Sequence, residues 1–222
     1  MSISVIVPVF NEEAILPAFL SQTDNWPVTE IIIVDGNSTD QTQTLIRLAP
    51  RHRLIVAKRG RGNQMNEGAR VATSDVLLFL HVDTIFPPDG FSAISKAMQN
   101  NHLVGGAFRL KIDTDSLLLK WITRVANIRS TLLALPYGDQ GFFVRREVFN
   151  KIGGYHDFPL MEDVAFIQRL KQEGKITLLD QAITTSARRY NKQGTIITAV
   201  RNSILLLLYF MRVSPKQLAK WY

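Results

Sequence analysis

The residues that could do chemistry stand in short polar clusters, each directly after an apolar run. His81 and Asp83 follow the apolar residues 76–80, and Asp35 follows the apolar residues 31–34. Carboxylates, an imidazole and turn glycines can hold a phosphorylated ligand and a hard divalent cation. The sequence therefore predicts a binding site for an anionic ligand at the ends of several strands.

His81 and Asp83 are two positions apart at the end of a predicted strand. Side chains two apart on a strand point to the same face, so we expect both to face one site. A carboxylate suits Mg²⁺ or Mn²⁺, whereas an imidazole binds Mn²⁺ but suits Mg²⁺ poorly.

Two further clusters also follow predicted strands. Residues 8–12 read Pro-Val-Phe-Asn-Glu, and residues 58–63 read Lys-Arg-Gly-Arg-Gly-Asn. Each cluster alone is most often an ordinary turn. Four of them at successive strand ends are a stronger signal, because ligands of an open parallel sheet bind beyond the carboxyl ends of its strands.

The elements that must position these clusters alternate between strand and helix. In the first third we predict strands at residues 3–9, 31–34, 53–57 and 76–80, and helices at 11–21 (capped by Asn11), after Ser38 or Thr39, and at 63–72. In the remainder we predict strands at 105–112, 141–145, 176–179 and 183–186, and helices at 89–100, 115–135, 147–152, 161–173 and 195–212. This pattern is typical of an α/β fold with a mostly parallel central sheet flanked by helices.

Composition limits the class of protein. The chain has 222 residues, of which 46% are hydrophobic and 20% are charged, as in an ordinary globular domain. The absence of cysteine excludes disulfides, thiolate metal sites and a cysteine nucleophile. The first residues contain no basic leader before an apolar run, so we expect no signal peptide and a cytoplasmic location. We expect a single domain over residues 1–222, with two lobes joined near residue 110.

The net charge of +7 is concentrated at one end of the chain. Residues 188–222 contain seven Lys and Arg residues and no Asp or Glu, which leaves the rest of the chain balanced. A balanced body without a basic stripe argues against nucleic-acid binding. A basic tail favours phosphates or an acidic membrane surface as a local partner.

Five motifs together resemble the family-2 glycosyltransferases of GT-A fold, in that family's order and spacing. They lie at residues 5–13 (Val-Ile-Val-Pro-Val-Phe-Asn-Glu-Glu), 33–40 (Ile-Val-Asp-Gly-Asn-Ser-Thr-Asp), 66–70 (Asn-Glu-Gly-Ala-Arg), 79–83 (Phe-Leu-His-Val-Asp) and 161–163 (Met-Glu-Asp). The resemblance covers roughly residues 1 to 190. It implies a nucleotide-sugar-binding lobe at residues 1–110 and an acceptor lobe at 111–222.

The resemblance also implies roles for individual residues. It assigns the base and ribose to Pro8, Phe10 and Glu12, the nucleobase (usually uracil) to Asp35, the loop over the nucleoside to Arg61, Asn63 and Gln64, the metal to Asp83, and the general base to Asp163. The family usually has Asp where this chain has His81, which puts metal dependence in doubt. Three roles stay open for His81: a hydrogen bond to a ribose, structural packing, or metal ligation. Glu162 is a further candidate for substrate binding. It suits a second nucleophile poorly, because neighbours on a helix point about 100° apart.

The chemistry implied is transfer of a sugar from a nucleotide-diphosphate sugar, most often a UDP-sugar, to an acceptor hydroxyl. A divalent cation, Mn²⁺ or Mg²⁺, would neutralise the charge that develops on the leaving diphosphate. One base and one displacement would invert the anomeric configuration.

Two residues of the second half are candidates with an open alternative. Asp139, in Gly-Asp-Gln-Gly, lies where related enzymes line the sugar or acceptor pocket, and it is equally an ordinary turn residue. Arg189 lies where some family members place an arginine that binds the diphosphate, and it equally suits a solvated face.

The apolar run at residues 204–211 is too short to span a bilayer, for which about 20 residues are needed. Surrounded by basic residues, a helix here suits either a membrane interface or the protein core. Apolar residues at 117–119, 121–122 and 132–133 favour a surface for a lipid-linked acceptor, at the cytoplasmic face of the membrane.

Two other functions compete with sugar transfer. A nucleotidyltransferase usually carries a Gly-rich loop with Arg and Lys after its first strand, and the segment after Val9 lacks both. A nucleotide-binding, membrane-associated protein without activity stays possible because of His81 and the basic tail.

Overall fold

Eight strands form one sheet in the part of the chain that the structure, a computed structural model, describes: residues 1–133, 135–136, 138–186 and 194–222. They are β1 (Ile3–Val9), β2 (Glu30–Asp35), β3 (His52–Val56), β4 (Val76–Phe79), β5 (Thr84–Ile85), β6 (Leu103–Asp113), β7 (Phe142–Arg145) and β8 (Lys175–Ser186). Their order across the sheet is β3-β2-β1-β4-β7-β6-β8-β5.

Helices flank this sheet. They are α1 (Leu16–Thr23), α2 (Thr42–Arg47), α3 (Arg61–Val71), α4 (Gly90–Ala97), α5 (Leu117–Leu133), α6 (Arg146–Lys151), α7 (Glu162–Glu173), α8 (Thr195–Phe210) and α9 (Pro215–Leu218). Short 3₁₀ turns occupy Gly138–Gln140 and Ala219–Trp221. Within the described ranges, none of the helices combines the length and apolarity that a membrane span requires.

The first four strands form a parallel half-sheet. β1 lies in the middle, parallel to both β2 and β4, and β2 is parallel to β3. Alternate residues of β1 and β2 point into two separate apolar clusters, one on each face of the sheet. Both faces are buried, which is why these strands are continuous runs of Ile and Val, each contributing about 1.5–3 kcal/mol on burial.

The second half of the sheet is mixed. β7 is antiparallel to β4 and β6, β6 is parallel to β8, and β8 is antiparallel to β5. Four of the seven neighbouring pairs among the described strands are therefore parallel, and the predicted α/β class is confirmed. The antiparallel pairs all lie in the half for which the sequence indicated no direction.

Helix α3 lies unusually close to the sheet at Gly68. A Cβ atom at this position would overlap the side chain of Ile6 and lie 3.0 Å from Cγ2 of Val34. Only glycine permits this approach, so Gly68 fixes the distance between α3 and the sheet beneath it.

Several predicted boundaries were wrong. The first helix begins at Leu16 rather than near Asn11, whose φ of 51° places it in a left-handed turn. The second helix begins at Thr42, beyond the predicted caps. Residues 176–179 and 183–186 are parts of one strand, β8, which continues through an irregularity in its pairing with β6. The short elements β5 and α9 were not predicted.

The division into donor and acceptor lobes stays a prediction. Strand β6 runs through residue 110, and strands from both sides of that position join one sheet.

Candidate active site

A cleft opens where the carboxyl ends of β1 and β4 meet the first turns of α3 and α7. Five predicted site residues line it together: Arg61, His81, Asp139, Glu162 and Asp163 in two adjoining pockets. Pro8, also predicted, lines the inner part beside Phe79. This is the edge at which ligands of open α/β sheets bind.

Asp163 is held by backbone hydrogen bonds. It lies in the first turn of α7, where the helix dipole favours a carboxylate. Its Oδ2 accepts a 2.8 Å hydrogen bond from the N–H of Gly138, and its Oδ1 accepts one of 2.8 Å from the N–H of Val164. The half-buried carboxylate thus has a fixed position on the wall of the cleft.

Glu162 forms an ion pair with Arg61, with 2.8 Å between Nε of the arginine and Oε1 of the carboxylate. Glu162 is only 2% exposed, whereas the Arg61 side chain retains 42% of its accessible surface. The second carboxylate oxygen, Oε2, has no hydrogen-bond partner among the described residues. One of its two oxygens is therefore buried without compensation.

Burial raises the pKa of Glu162 to about 7, although the Arg61 charge lowers it, and the charge of Asp163 raises it further. Loss of hydration lowers the pKa of Arg61, but Glu162, Asp163 and Asp139 together outweigh that effect and raise it. Both pKa values rise, but with opposite effects on charge. The raised pKa of Arg61 favours its charged form, because three carboxyl neighbours outweigh its burial. The raised pKa of Glu162 favours its neutral form, because one cation does not offset its burial.

Asp139 lies in the 3₁₀ turn Gly138–Gln140, which also lines the cleft. Burial, together with the charge of Asp163, raises the pKa of Asp139 to about 6, against the lowering effect of Arg129. Its Oδ1 is buried and has no partner among the described residues. The next residue, Gln140, anchors the turn by donating a 2.9 Å hydrogen bond to the carbonyl of Phe108 on β6.

His81 and Asp83 do not lie on a strand. The prediction that they point to the same face assumed strand geometry, and that assumption was wrong. β4 ends at Phe79, and residues 81–84 form a turn in which the Thr84 N–H donates to the carbonyl of His81. Burial and the Arg61 charge lower the pKa of His81, although Asp83, Asp163 and a hydrogen bond to the backbone of Gly138 raise it. His81 thus lies beside the cluster as a neutral side chain at pH 7.

A cation site is not formed by the described side chains alone, since no group of three or more His, Cys, Asp and Glu residues lies close enough to hold a metal ion. A divalent ion bound to a diphosphate needs only one or two protein carboxylates, because the phosphates and water supply the other ligands. Asp83 is half-exposed next to His81 and fits such a shared site.

Two predicted donor-binding residues point into the protein. The carboxylate of Asp35 is fully buried and accepts hydrogen bonds from the N–H and hydroxyl of Ser38 and, at 2.7 Å, from the Gln43 amide. The amide of Gln64 donates at 2.8 Å to both the Val9 and Val34 carbonyls. These groups hold the ends of β1 and β2 together, and their predicted contacts with a nucleotide stay predictions.

The other predicted residues are not among those that line the two pockets. Arg59 places its guanidinium 3.9 Å above the Phe10 ring, a cation–π contact. Glu12 is half-buried in the turn before α1. Asn63 donates a 2.9 Å hydrogen bond to the exposed Asp157 carboxylate. Arg189 lies outside the described residues.

Two polar residues of the cleft were missed by sequence reasoning. The Tyr155 ring stacks on Phe166, and its buried hydroxyl has no partner among the described residues. The Gly153–Gly154 pair before it signals a constrained turn but gives no hint of the hydroxyl. Asn202 of α8 lines the outer cleft, with a buried Oδ1 that is likewise unpartnered there. A lone amide within an apolar helix was the available signal.

Comparisons with known proteins agree with this geometry. The family model described as glycosyl transferase family 2 matches residues 4–155. A PGL/p-HBAD biosynthesis glycosyltransferase of Mycobacterium bovis is 30% identical over 178 residues, covering 69% of this chain and 62% of the relative. The chain thus spans less than two thirds of the length of this relative.

A second curated relative is more distant. The undecaprenyl-phosphate 4-deoxy-4-formamido-L-arabinose transferase of Pseudomonas aeruginosa is 28% identical over 152 residues, covering 61% of this chain and 44% of the relative.

Among solved structures, glucosyl-3-phosphoglycerate synthase from Mycobacterium tuberculosis, in complex with Mn²⁺, UDP and glucosyl-3-phosphoglycerate, superposes with a TM-score of 0.57. The two are 18% identical, and the match covers 83% of this chain and 70% of that one. This likeness concerns the fold alone, which is of GT-A type. Because the family model covers most of its length, the chain belongs to glycosyl transferase family 2.

Proposed function

We propose that this protein is a glycosyltransferase that moves a sugar from a nucleotide-diphosphate sugar to an acceptor hydroxyl. One observation carries the proposal: a carboxylate fixed by backbone hydrogen bonds, Asp163, lies in a cleft beside the Arg61 cation, at the ligand-binding edge of the sheet. Family membership supports the same reaction class.

Asp163 would act as the general base. It takes the proton of the acceptor hydroxyl while the hydroxyl oxygen attacks the anomeric carbon and the bond to the diphosphate breaks. The hydrogen bond from Gly138 holds one carboxylate oxygen, so the carboxylate keeps its orientation during the step. A single displacement of this kind inverts the anomeric configuration.

A double displacement with retention needs a second carboxylate free to attack the sugar. Glu162 is poorly suited, since one of its oxygens is paired with Arg61 and burial raises the pKa of its carboxyl to about 7. We therefore propose that Glu162 positions Arg61 on the substrate side of the cleft.

The leaving diphosphate would be held by Arg61 and by a divalent cation shared with Asp83. Such a cation, when bound, neutralises the charge that develops on the leaving group. For the base we propose uracil, the base of the UDP in the superposed synthase complex.

The acceptor would be lipid-linked. The outer cleft beside Asp163 is lined by apolar side chains from α7, from the segment before it and from α8: Leu160, Val164, Leu205 and Leu206. The undecaprenyl-phosphate relative uses an acceptor of this class by its name. A lipid-linked acceptor would place the protein at the cytoplasmic face of a membrane.

The test is donor hydrolysis and transfer by the purified chain across a panel of nucleotide sugars, with Mn²⁺ or Mg²⁺. Asp163→Asn should lower turnover by about 10²- to 10⁴-fold, the usual contribution of a general base, while donor binding in a thermal-shift assay is retained. Asp180→Asn, at a site 91% exposed, is the matched control and should behave as the wild type.

Two results would contradict the proposal. Wild-type turnover in Asp163→Asn would remove the general base. Donor binding without turnover across the whole panel would favour a binding protein.

A further inference from the structure

Helix α5 is apolar on two opposite sides. Its inner side packs against β6 through Leu119, which is 1% exposed. Its outer side carries an exposed apolar stripe of four residues: Leu117, Trp121, Val125 and Ile128, exposed by 81, 64, 44 and 50%. The fold does not need this stripe, because none of the four side chains is buried in the core.

The spacing of the stripe places it on one face of the helix. Successive positions are four, four and three residues apart, which keeps them within an arc of about 80°. A solvated helix face normally carries polar residues instead.

Helix α8 repeats this arrangement. Leu205 packs against the start of α7, whereas the opposite side is exposed at Ile197, Val200, Ile204 and Leu207, by 68, 51, 50 and 61%. These four positions also lie within an arc of about 80°. Helices α5 and α8 contact each other, so the two stripes belong to neighbouring elements.

Basic side chains border both stripes. A groove between α5 and the end of β6 is lined by Arg109, Lys111, Lys120 and Arg124, with Asp113 as its acidic residue. Beyond α8 follow the exposed Arg212, Lys216 and Lys220, and no acidic residue occurs in the sequence from residue 194 to 222. Trp221, 58% exposed, adds an aromatic ring of the kind enriched at membrane interfaces.

We propose that the α5–α8 face, defined as these two stripes with their bordering Lys and Arg residues, docks on an anionic phospholipid bilayer. Apolar stripes with cations at their margins are the pattern by which interfacial helices bury side chains at the acyl boundary while attracting anionic headgroups. The excess of cations around these stripes, four Lys and Arg residues against Asp113 in the groove and no Asp or Glu from residue 194 to 222, favours an anionic surface as the partner.

This inference deepens the proposed function and rests on it only for its biological purpose. Leu205 and Leu206 of α8 line the cleft beside Asp163, so docking of α8 would bring the cleft close to lipid-linked acceptors. The test below uses no sugar donor, so the two proposals can fail separately.

The experiment measures co-sedimentation of the full chain with phosphatidylcholine vesicles, with and without phosphatidylglycerol. Binding is expected only to the anionic vesicles. Trp121→Ser with Ile204→Ser, and separately Lys120→Glu with Arg124→Glu, should each weaken binding about 10-fold or more, or about 1.4 kcal/mol. The matched controls Leu48→Ser, an exposed residue directly after α2, and Lys96→Glu, an exposed residue of α4, should bind as the wild type.

Thermal unfolding and sedimentation velocity accompany each variant, so a folding defect or a change of oligomeric state is seen directly. Absence of wild-type binding to anionic vesicles, or equal binding by folded stripe variants, overturns the proposal. A dimer that dissociates in Trp121→Ser while vesicle binding is unchanged would assign the face to a second copy of this chain. Intact vesicle binding in Asp163→Asn would show that docking is independent of turnover.

Discussion

The polar residues at the ends of the parallel strands and those at the start of α7 differ in how their hydrogen bonds are satisfied. Asp35 and Gln64, in the parallel half, direct their side chains into networks with their own loops and strands. Glu162, Asp139 and Tyr155, around the α7 side of the cleft, each keep a buried polar atom without a partner among the described residues.

We propose that the polar residues of the parallel half build the site, whereas those around α7 keep polar atoms for a ligand. A buried polar atom without a partner costs about 1–3 kcal/mol, so a fold retains one where it serves function. Substitutions in the parallel half should therefore act first on stability, and those around α7 first on pH dependence and activity.

The largest effect on stability is expected for Gln64→Ala. Removing the amide leaves the Val9 and Val34 carbonyls without its two hydrogen bonds and opens a cavity, so the free energy of unfolding should fall by about 2–3 kcal/mol. Urea denaturation measures this, with the exposed Gln99→Ala as control. Unchanged stability together with lost donor binding would move Gln64 to the ligand-binding group and break the comparison.

Glu162→Gln is expected to flatten the pH dependence of stability. The native pKa of about 7 lies above the ordinary 4.5, so the native state holds this proton more tightly than the unfolded state. Between about pH 4.5 and about pH 7 the unfolded chain ionises first, and wild-type stability falls as pH rises, by on the order of 3 kcal/mol.

The Glu162→Gln variant lacks that ionisation. Its free energy of unfolding should therefore fall less steeply with rising pH, and Asp139 should account for the slope that remains. Urea denaturation at several pH values across the window gives both slopes. Equal slopes in the two proteins would mean that the pKa of Glu162 is not raised in the native state.

Asp139→Asn should have the smallest effect, about threefold in kcat/KM, confined to one limb of the pH profile. The pH dependence of kcat/KM reports the ionisations of the free enzyme, and the pKa of Asp139 is raised to about 6. The wild type should show a limb near pH 6 that the variant lacks. A limb that persists in the variant would assign the ionisation to another group.

Much of the parallel half could be predicted from the sequence because its signals are local. Residues 31–34 are a β-branched run whose burial on both faces follows from composition alone, and the polar clusters after the strands mark the ligand edge. That Asp163 and His81 belong to one site was likewise expected from the motifs that carry the family resemblance, and the resemblance placed Arg61 in the loop over the nucleoside. Their individual roles stay predictions.

The remaining features depend on contacts between distant residues. Strand β7 inserts between β4 and β6, a pairing that no local pattern indicates. Asn11 adopts a positive φ and delays α1, although its type and position suit a helix cap equally well. The inward amide of Gln64 and the buried hydroxyl of Tyr155 follow from tertiary packing, which leaves no trace in the spacing of residues.

Gly68, which allows α3 to lie close to the sheet, also determines where Arg61 lies in the cleft. Arg61 lies at the start of that helix, seven residues before Gly68. Its Nε is 2.8 Å from Oε1 of Glu162, and a displacement of less than about 1 Å would break this hydrogen bond. A methyl group added at Gly68 would lift the helix from its seat on Ile6 and displace the cation as well. The distance between α3 and the sheet at Gly68 thereby determines the position of the Arg61 charge in the polar site two turns away.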